Sequence, residues 1–210
     1  MGNRKIKGLY LITDRKIAGV SIRDIAEEAL KGGLSCLQLR GKDITLRGIY
    51  NEAVFLRKLT NDYSAALIIN DHADVALVTE ADGVHLGQQD LPIKEARDVL
   101  GREKIIGIST HSLEQAIEAQ KNGADYIGFG PIFHTETKDA GSARGLDALR
   151  EVRRHIYIPI VAIGGIKLDD VEDVLCAGAD AIAVVSGILA SGNIRGMTQA
   201  FLERINKSYN

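Results

Sequence analysis

The sequence has 210 residues, of which 45% are hydrophobic and 26% are charged, and its formal net charge is −2. That length suits one domain, and a chain of this size buries enough surface to fold without disulfides or a structural metal. The near-neutral charge excludes the basic surface that binds nucleic acid or acidic membranes. We therefore expect one domain, residues 1–210, with no nucleic-acid partner and no membrane partner.

The N-terminus and the two cysteines both indicate the cytoplasm. The first seven residues are basic, but no long apolar segment of the kind found in secretory signals follows them. No later segment is apolar for long enough to span a membrane. Cys36 and Cys176 lie far apart in apolar runs, and we expect both to be small buried side chains in a reducing compartment.

Eight short apolar runs alternate with amphipathic stretches along the chain. Their near-continuous hydrophobicity is typical of parallel strands that are covered on both faces. The stretches between them have apolar residues at helical spacing, with Ser21 and Ser112 as predicted N-caps and Gly123 and Gly178 as predicted C-caps. The predicted strands cover residues 8–14, 36–41, 66–71, 83–87, 105–110, 126–133, 159–164 and 181–187.

The motif Gly-Ala-Asp recurs where a predicted helix ends and a predicted strand begins, at residues 123–125 and 178–180. Such short connections are typical of a regularly wound α/β protein. Eight βα units predict a closed (β/α)₈ barrel, the TIM barrel, in one domain. The alternative is a doubly wound open sheet. It is weakened because no Gly-x-Gly-x-x-Gly motif follows the first strand.

In such a barrel the active site forms at the carboxyl ends of the strands, and polar residues follow the second strand at that point. Strand alternation directs Gln38 and Arg40 to one side, and Lys42 follows them. The alternative is two solvated cations beside a polar strand residue. A glutamine in a buried strand requires a hydrogen-bond partner, which favours a functional site.

Two carboxylates, Asp71 and Asp90, follow the third and fourth predicted strands. Adjacent strand ends bring such residues together, and Mg²⁺ accepts one or two carboxylates together with substrate phosphate oxygens. The alternative is that each aspartate is the N-cap of the next helix. The presence of both, opposite basic residues, favours a metal site.

The longest irregular stretch, residues 134–145, follows the sixth predicted strand. It contains Thr135, Thr137 and Lys138, which can bind an anion, and Gly141 and Gly145, which permit movement. We predict a mobile lid over the site. The alternative is a flexible surface loop.

Glycines also follow the seventh and eighth predicted strands, as Gly164-Gly165 and Ser186-Gly187. Backbone amides at these two places form a phosphate cradle in barrels of this kind. The histidines near strand ends, His85, His111 and His134, match no zinc spacing. We therefore assign no zinc site and no histidine general base.

Taken together, these strand ends resemble the thiamine-phosphate synthase (thiamine-phosphate pyrophosphorylase) family over nearly the whole chain. Each motif is modest alone, but their order and their places at strand ends are specific. The matching segments are Tyr10-Leu-Ile-Thr-Asp14, Gln38-Leu-Arg-Gly-Lys42, Asn70-Asp71, Gly83-Val-His-Leu-Gly-Gln-Gln-Asp90, Gly107-Ile-Ser-Thr-His111, Gly128-Phe-Gly-Pro-Ile-Phe133, Thr135-Glu-Thr-Lys138, Ala162-Ile-Gly-Gly-Ile166 and Val185-Ser186.

The resemblance implies a transferase that joins hydroxymethylpyrimidine diphosphate to hydroxyethylthiazole phosphate and releases pyrophosphate. It implies that Asp71 and Asp90 carry Mg²⁺ and that Arg40, Lys42 and Lys138 are catalytic. The implied pyrimidine diphosphate site comprises Gln38, Leu39, Arg40, Gly41, Lys42, Asn70, Ser109 and Lys138. The implied thiazole phosphate site comprises Thr135, Glu136, Thr137, Gly165, Val185 and Ser186.

Two alternatives remain open beside the synthase. A thiazole tautomerase of the same fold would use the phosphate cradle without the diphosphate, and a non-catalytic relative would only bind the thiazole phosphate. All the diphosphate-site residues are present, which favours the synthase. Family members often have other residues at His72 and His134, which puts only the local loop shape in question. The sequence leaves open whether the chain forms a homo-oligomer.

Overall fold

The structure, a computed structural model, describes residues 6–135 and 141–209. Eight parallel strands pair in sequence order, and β8 pairs with β1 to close the barrel. The (β/α)₈ prediction is therefore confirmed, and the open sheet is excluded. The strands are β1 (Gly8–Ile12), β2 (Cys36–Leu39), β3 (Ala66–Asn70), β4 (Gly83–Leu86), β5 (Ile105–Thr110), β6 (Tyr126–Phe129), β7 (Ile160–Ile163) and β8 (Ala181–Val184).

Helices connect successive strands and pack on the outside of the barrel. The helices are α1 (Arg15–Ala18), α2 (Ile22–Lys31), α3 (Leu46–Asp62), α4 (Ala73–Val78), α5 (Ile93–Leu100), α6 (Leu113–Lys121), α7 (Gly145–His155), α8 (Val171–Cys176), α9 (Ser186–Leu189) and α10 (Ile194–Ser208). Over residues 6–135 and 141–209, none of the helices has the length and apolar composition that a membrane crossing requires.

The predicted helix ends agree with the structure to within one residue. The Ser21 and Ser112 side chains accept the amides of the third residue beyond them, as N-caps do. Gly123 and Gly178 each lie one residue after the cap, with φ of 88° and 106°, where a left-handed conformation favours glycine.

Most of the predicted strands extend one or more residues beyond the carboxyl ends of the strands in the structure. The sixth was predicted to reach residue 133, but β6 ends at Phe129. Ile132 is nevertheless completely buried, because its amide bonds to the Ile163 carbonyl and its side chain packs in the layer between the strands and the helices. Hydrophobicity indicates burial and not ladder pairing, so it does not locate the end of such a strand.

The buried apolar residues form two layers, one inside the barrel and one between the strands and the helices. Cys36 belongs to the inner layer, and burial raises the pKa of its thiol. The prediction that both cysteines are buried is wrong for Cys176, which lies exposed in the last turn of α8. An apolar run in a short surface helix contributes only one face to the core.

Three aspartates, each directly before an even-numbered strand, make the same pair of contacts. Each carboxylate accepts the amide of a residue in the preceding strand and an arginine from the helix before that strand. These contacts explain the recurrence of alanine-aspartate at the helix-to-strand connections. The sets are Asp82 with Leu67 N (2.8 Å) and Arg57 (2.6 Å), Asp125 with Ile106 N (2.7 Å) and Arg97 (2.6 Å), and Asp180 with Ile160 N (2.8 Å) and Arg153 (2.8 Å).

We expect Asp82→Ala to lower the free energy of unfolding by about 2 kcal/mol, because it removes the acceptor of a strand amide and of a mostly buried guanidinium. Urea denaturation measures the change. The matched control is Asp147→Ala, whose ion pair with Arg150 involves an aspartate side chain that is 99% exposed. The control should leave the midpoint unchanged, and an equal loss in both variants would contradict the assignment.

Candidate active site

A cavity of about 120 Å³ lies at the carboxyl ends of the strands, where the active sites of (β/α)₈ barrels form. It brings together residues from both predicted substrate groups. The predicted site residues that line it are Arg40, Ser109, Thr135, Gly165, Val185 and Ser186. Two residues of the predicted diphosphate group and four of the predicted thiazole phosphate group therefore share this cavity, whereas Gln38, Leu39, Gly41, Lys42 and Asn70 do not line it.

The side chains of Asp71 and Asp90 lie next to each other after β3 and β4, and Asp90 lines a second pocket with Gly87 and Gln88. Partial burial and then the neighbouring Asp90 raise the pKa of Asp71, while Lys42 opposes the shift. Neither aspartate caps a helix, since His72 occupies the cap position of α4 and Pro92 that of α5. The N-cap alternative is therefore wrong for both.

The chemistry of this carboxylate pair fits a hard cation, because carboxylate oxygens are ligands that Mg²⁺ accepts. Asp90 accepts the amide of Gly87 at 2.6 Å, and a Cβ at Gly87 would lie 2.9 Å from the same oxygen. The glycine thus allows the carboxylate to approach the main chain. The described residues contain no cluster of three or more His, Cys, Asp or Glu side chains placed to hold a metal. Mg²⁺ needs no such cluster where phosphate oxygens and water complete its shell.

Arg40 is held in place by two residues that the sequence reasoning did not select. The Thr13 hydroxyl accepts the Arg40 amide at 2.9 Å and donates to the Arg40 carbonyl at 3.2 Å. Asp14 lies 3.3 Å from the guanidinium, and it also caps α1. The strand-end segment that contains Thr13 and Asp14 was a detectable signal, because it follows β1 as Arg40 follows β2.

The other predicted residues around β2 have different environments. Gln38 is buried, and its amide nitrogen donates to the Tyr10 hydroxyl at 2.8 Å, which supplies the partner that its burial requires. The Leu39 side chain packs in the outer layer, so only its main chain can contribute to the site. A Cβ at Gly41 would lie 2.7 Å from Ile44, so this glycine closes the turn. Lys42 is exposed.

The glycine segments after β7 and β8 lie where backbone amides could form the predicted phosphate cradle. Gly164 and Gly165 have φ of 99° and 67°, and a Cβ at Gly165 would lie 2.4 Å from the His134 carbonyl oxygen. Ser186 and Gly187 form the first turn of α9, which has no side-chain cap. Amides at such a turn can donate to an anion.

The predicted lid is only partly described. Glu136, Thr137 and Lys138 lie outside the described residues, whereas Thr135 lines the cavity. The far end of the segment is anchored, because the Gly145 amide donates to the Ile132 carbonyl at 3.0 Å. Gly145 begins α7 with φ of 78°, a left-handed conformation that favours glycine.

Three polar side chains inside the barrel were missed by the sequence reasoning as site residues. The Tyr10 and Tyr126 hydroxyls lie 2.9 Å apart, and His85 bonds both Tyr126, at 2.8 Å, and Ser109, at 2.9 Å. Strand alternation could have selected them, since polar residues at inward positions of several strands indicate a shared polar interior. Asn70, the last residue of β3, pairs in register with His85 and lies half-buried.

Comparison with known proteins agrees with this geometry. The model of the family "Thiamine monophosphate synthase" matches residues 9–188. The chain belongs to this family. A thiamine-phosphate synthase from Shouchella clausii is 46% identical over 202 residues, which cover 95% of this chain and 97% of that relative. One from Halalkalibacterium halodurans is 48% identical over 195 residues and 92% of each chain.

A solved structure also matches the whole barrel. Thiamine phosphate pyrophosphorylase from Pyrococcus furiosus has 39% sequence identity and a TM-score of 0.90, with 97% of each chain covered. The family resemblance drawn from the strand-end motifs is thereby confirmed. Members of the thiamine monophosphate synthase family are therefore the appropriate reference for the chemistry of this cavity.

Asp71→Asn should raise the urea midpoint of the metal-free protein at neutral pH, because it removes one of two adjacent carboxylates. The folded-state pKa of Asp71 is raised, so this group favours folding below the ordinary carboxyl range, and that contribution is lost as pH rises through its folded pKa. The advantage of the variant should therefore grow from acid to neutral pH. Urea denaturation curves of both proteins with a chelator present, at several pH values, measure the difference in midpoint. A difference that does not change with pH would contradict the repulsion between Asp71 and Asp90.

Proposed function

We propose that this chain joins hydroxymethylpyrimidine diphosphate to hydroxyethylthiazole phosphate, forming thiamine phosphate and releasing pyrophosphate. Membership of the thiamine monophosphate synthase family supports the reaction. The observation that carries the proposal is the carboxylate pair of Asp71 and Asp90 beside Lys42, at the same barrel mouth as the glycine cradle. A diphosphate–metal site and a monophosphate site are what this reaction requires.

Mg²⁺ is the proposed cofactor, held by Asp71 and Asp90. When bound, it neutralises charge on the departing pyrophosphate. Family members depend on Mg²⁺ in general, and the close approach of the two carboxylates supports a cation between them. Two protein ligands leave the remaining positions for diphosphate oxygens and water.

The proposed diphosphate site places positive charge where the leaving group departs. Arg40 and Lys42, with Lys138, stabilise the negative charge that develops on pyrophosphate. Gln38, Leu39, Gly41, Asn70 and Ser109 complete the proposed pyrimidine diphosphate site, Leu39 through its main chain alone. The proposed thiazole phosphate site comprises Thr135, Glu136, Thr137, Gly165, Val185 and Ser186.

The pyrimidine carbon can lose pyrophosphate before the thiazole nitrogen attacks, because the electron-rich aminopyrimidine supports positive charge at that carbon. The protein then supplies no nucleophile, and its tasks are alignment and charge stabilisation. Water must also be excluded, or it would capture the cation. Closure of the segment 134–145 is the proposed means.

A thiazole tautomerase would require only the phosphate cradle. The carboxylate pair and the oriented Arg40 have no role in that reaction, and they favour the synthase. Thiamine phosphate produced from the two phosphorylated substrates with Mg²⁺ tests the proposal directly. Isomerisation of a thiazole phosphate without diphosphate or metal, and no thiamine phosphate, would favour the tautomerase.

Asp71→Asn and Asp90→Asn should each lower kcat by at least about 100-fold, because each removes a hard, charged ligand. Both variants should remain folded, and both should lose the rise in melting temperature that Mg²⁺ with pyrophosphate gives the wild type. Wild-type turnover at limiting Mg²⁺ in both variants would show that the pair binds no catalytic metal.

Lys42→Ala and Ser186→Ala should separate the two substrate sites. We expect Lys42→Ala to raise KM for the pyrimidine diphosphate, and Ser186→Ala to raise KM for the thiazole phosphate, each by about tenfold. Steady-state kinetics with one substrate varied at a time measure both. A Lys42→Ala enzyme with a defect only towards the thiazole would show that the two sites are reversed.

A further inference from the structure

A chain of four hydrogen bonds crosses the interior of the barrel from β2 to β5. Gln38 Nε2 donates to the Tyr10 hydroxyl at 2.8 Å, and that hydroxyl lies 2.9 Å from the Tyr126 hydroxyl. The Tyr126 hydroxyl lies 2.8 Å from His85 Nδ1, and His85 Nε2 lies 2.9 Å from the Ser109 hydroxyl. Gln38 and Ser109, at the two ends, belong to the proposed pyrimidine diphosphate site. The three residues between them are not part of that proposed site.

The middle of this chain is shielded from water. Tyr10 and Tyr126 are 1% and 0% exposed, and their rings meet edge to face with centroids 6.1 Å apart. A Cβ at Gly107 would lie 2.0 Å from the Tyr126 ring, so that strand position must be glycine for the ring to fit. Burial raises the pKa of both tyrosines, so both hydroxyls keep their protons and need acceptors.

These constraints allow one direction of donation. The Gln38 amide nitrogen can only donate, so the Tyr10 oxygen accepts and the Tyr10 proton goes to Tyr126, its other partner among the described residues. The Tyr126 proton then goes to His85 Nδ1, which must be unprotonated. His85 therefore carries its proton on Nε2 and donates to Ser109, whose own proton is left for another acceptor.

We infer that Tyr10, Tyr126 and His85 are positioning residues that give Gln38 and Ser109 opposite hydrogen-bonding roles towards the substrate. Gln38 presents its amide oxygen as an acceptor, and Ser109 presents its hydroxyl as a donor. The only buried side-chain polar atom without a partner in the described residues is Nε of Arg57. The Gln38 amide oxygen accepts from no described residue, so it is the group of Gln38 that is left for a further donor.

An acceptor and a donor held in this way match an aminopyrimidine, whose exocyclic amino group donates and whose ring nitrogen accepts. A ring with the reverse pattern, such as a pyrimidinone with a carbonyl oxygen and a ring N–H, would face mismatched partners. This selectivity rests on the proposed function. The direction of the hydrogen-bond chain does not, because it follows from the protein groups alone.

The tautomer of His85 reports the direction of the chain and can be read by ¹⁵N NMR of histidine-labelled protein. We expect a pyridine-like Nδ1 and a pyrrole-like Nε2 for His85 in the wild type without substrates. His111 is the internal control: its Nδ1 lies 2.6 Å from the Gly130 carbonyl oxygen, so its proton must be on Nδ1. A His85 proton on Nδ1 in the wild type would overturn the inference.

Gln38→Glu should reverse the chain. A carboxylate at pH 8 only accepts, so Tyr10 must donate to it, each later bond turns round, and the His85 proton moves to Nδ1. Gln38→Leu removes the donor that sets the direction of the chain. Both His85 tautomers should then be populated, and the ¹⁵N shifts of His85 should be averages of the two. Adding Tyr126→Phe to Gln38→Glu should abolish the response, while His111 stays unchanged throughout. Unchanged His85 shifts in folded Gln38→Glu and Gln38→Leu would overturn the coupling.

Kinetics test whether the chain positions the substrate. Tyr126→Phe should raise KM for the pyrimidine diphosphate by about tenfold and leave KM for the thiazole phosphate unchanged. Tyr157→Phe is the matched control, since Tyr157 is 86% exposed, and it should behave as wild type. Wild-type constants in Tyr126→Phe would overturn the positioning role. If the wild type forms no thiamine phosphate, the proposed function fails, while the NMR result still decides the direction of the chain.

Discussion

The pairing of β8 with β1 is the constraint on which the rest of the structure depends. It runs in register from Gly8 with Ala181 to Leu11 with Val184, and it turns eight strand ends into one closed rim. Residues that follow different strands then share a single cavity, because all the strands are parallel and end at the same face. Without closure, the glycine cradle after β7 and β8 would lie far from Arg40 after β2.

The opposite face of the barrel serves stability. There, Asp82, Asp125 and Asp180 each connect a strand amide to a helix arginine, and the three connections recur at every second strand from β4 onward. At the active face, Asp71 and Asp90 lie together and repel each other. The fold thus places hydrogen-bonded, ion-paired carboxylates where they join strands to helices, and it places two adjacent carboxylates that repel each other where a cation can bind.

The interior of the barrel combines packing with polarity. Glycine at position 107 makes room for the Tyr126 ring, and the hydroxyl of that ring joins a hydrogen-bond chain that ends at Gln38 and Ser109. A polar group in such a place must be fully satisfied, because the low local dielectric makes an unpaired one costly. That requirement gives the hydrogen-bond chain one direction. In a site filled with water, water molecules could satisfy each group and no single direction would be imposed.

The sequence by itself determined the barrel and the rim residues, since strand periodicity and strand-end position depend on neighbouring residues alone. It predicted Arg40 and Ser109 for the pyrimidine diphosphate site and Gly165 for the thiazole phosphate site, and one cavity is lined by all three. Only the tertiary structure decided that Asp71 lies next to Asp90, that the Gln38 amide reaches the Tyr10 hydroxyl, and that β6 ends at Phe129. These facts depend on register and closure between residues distant in the chain, and no local pattern records either.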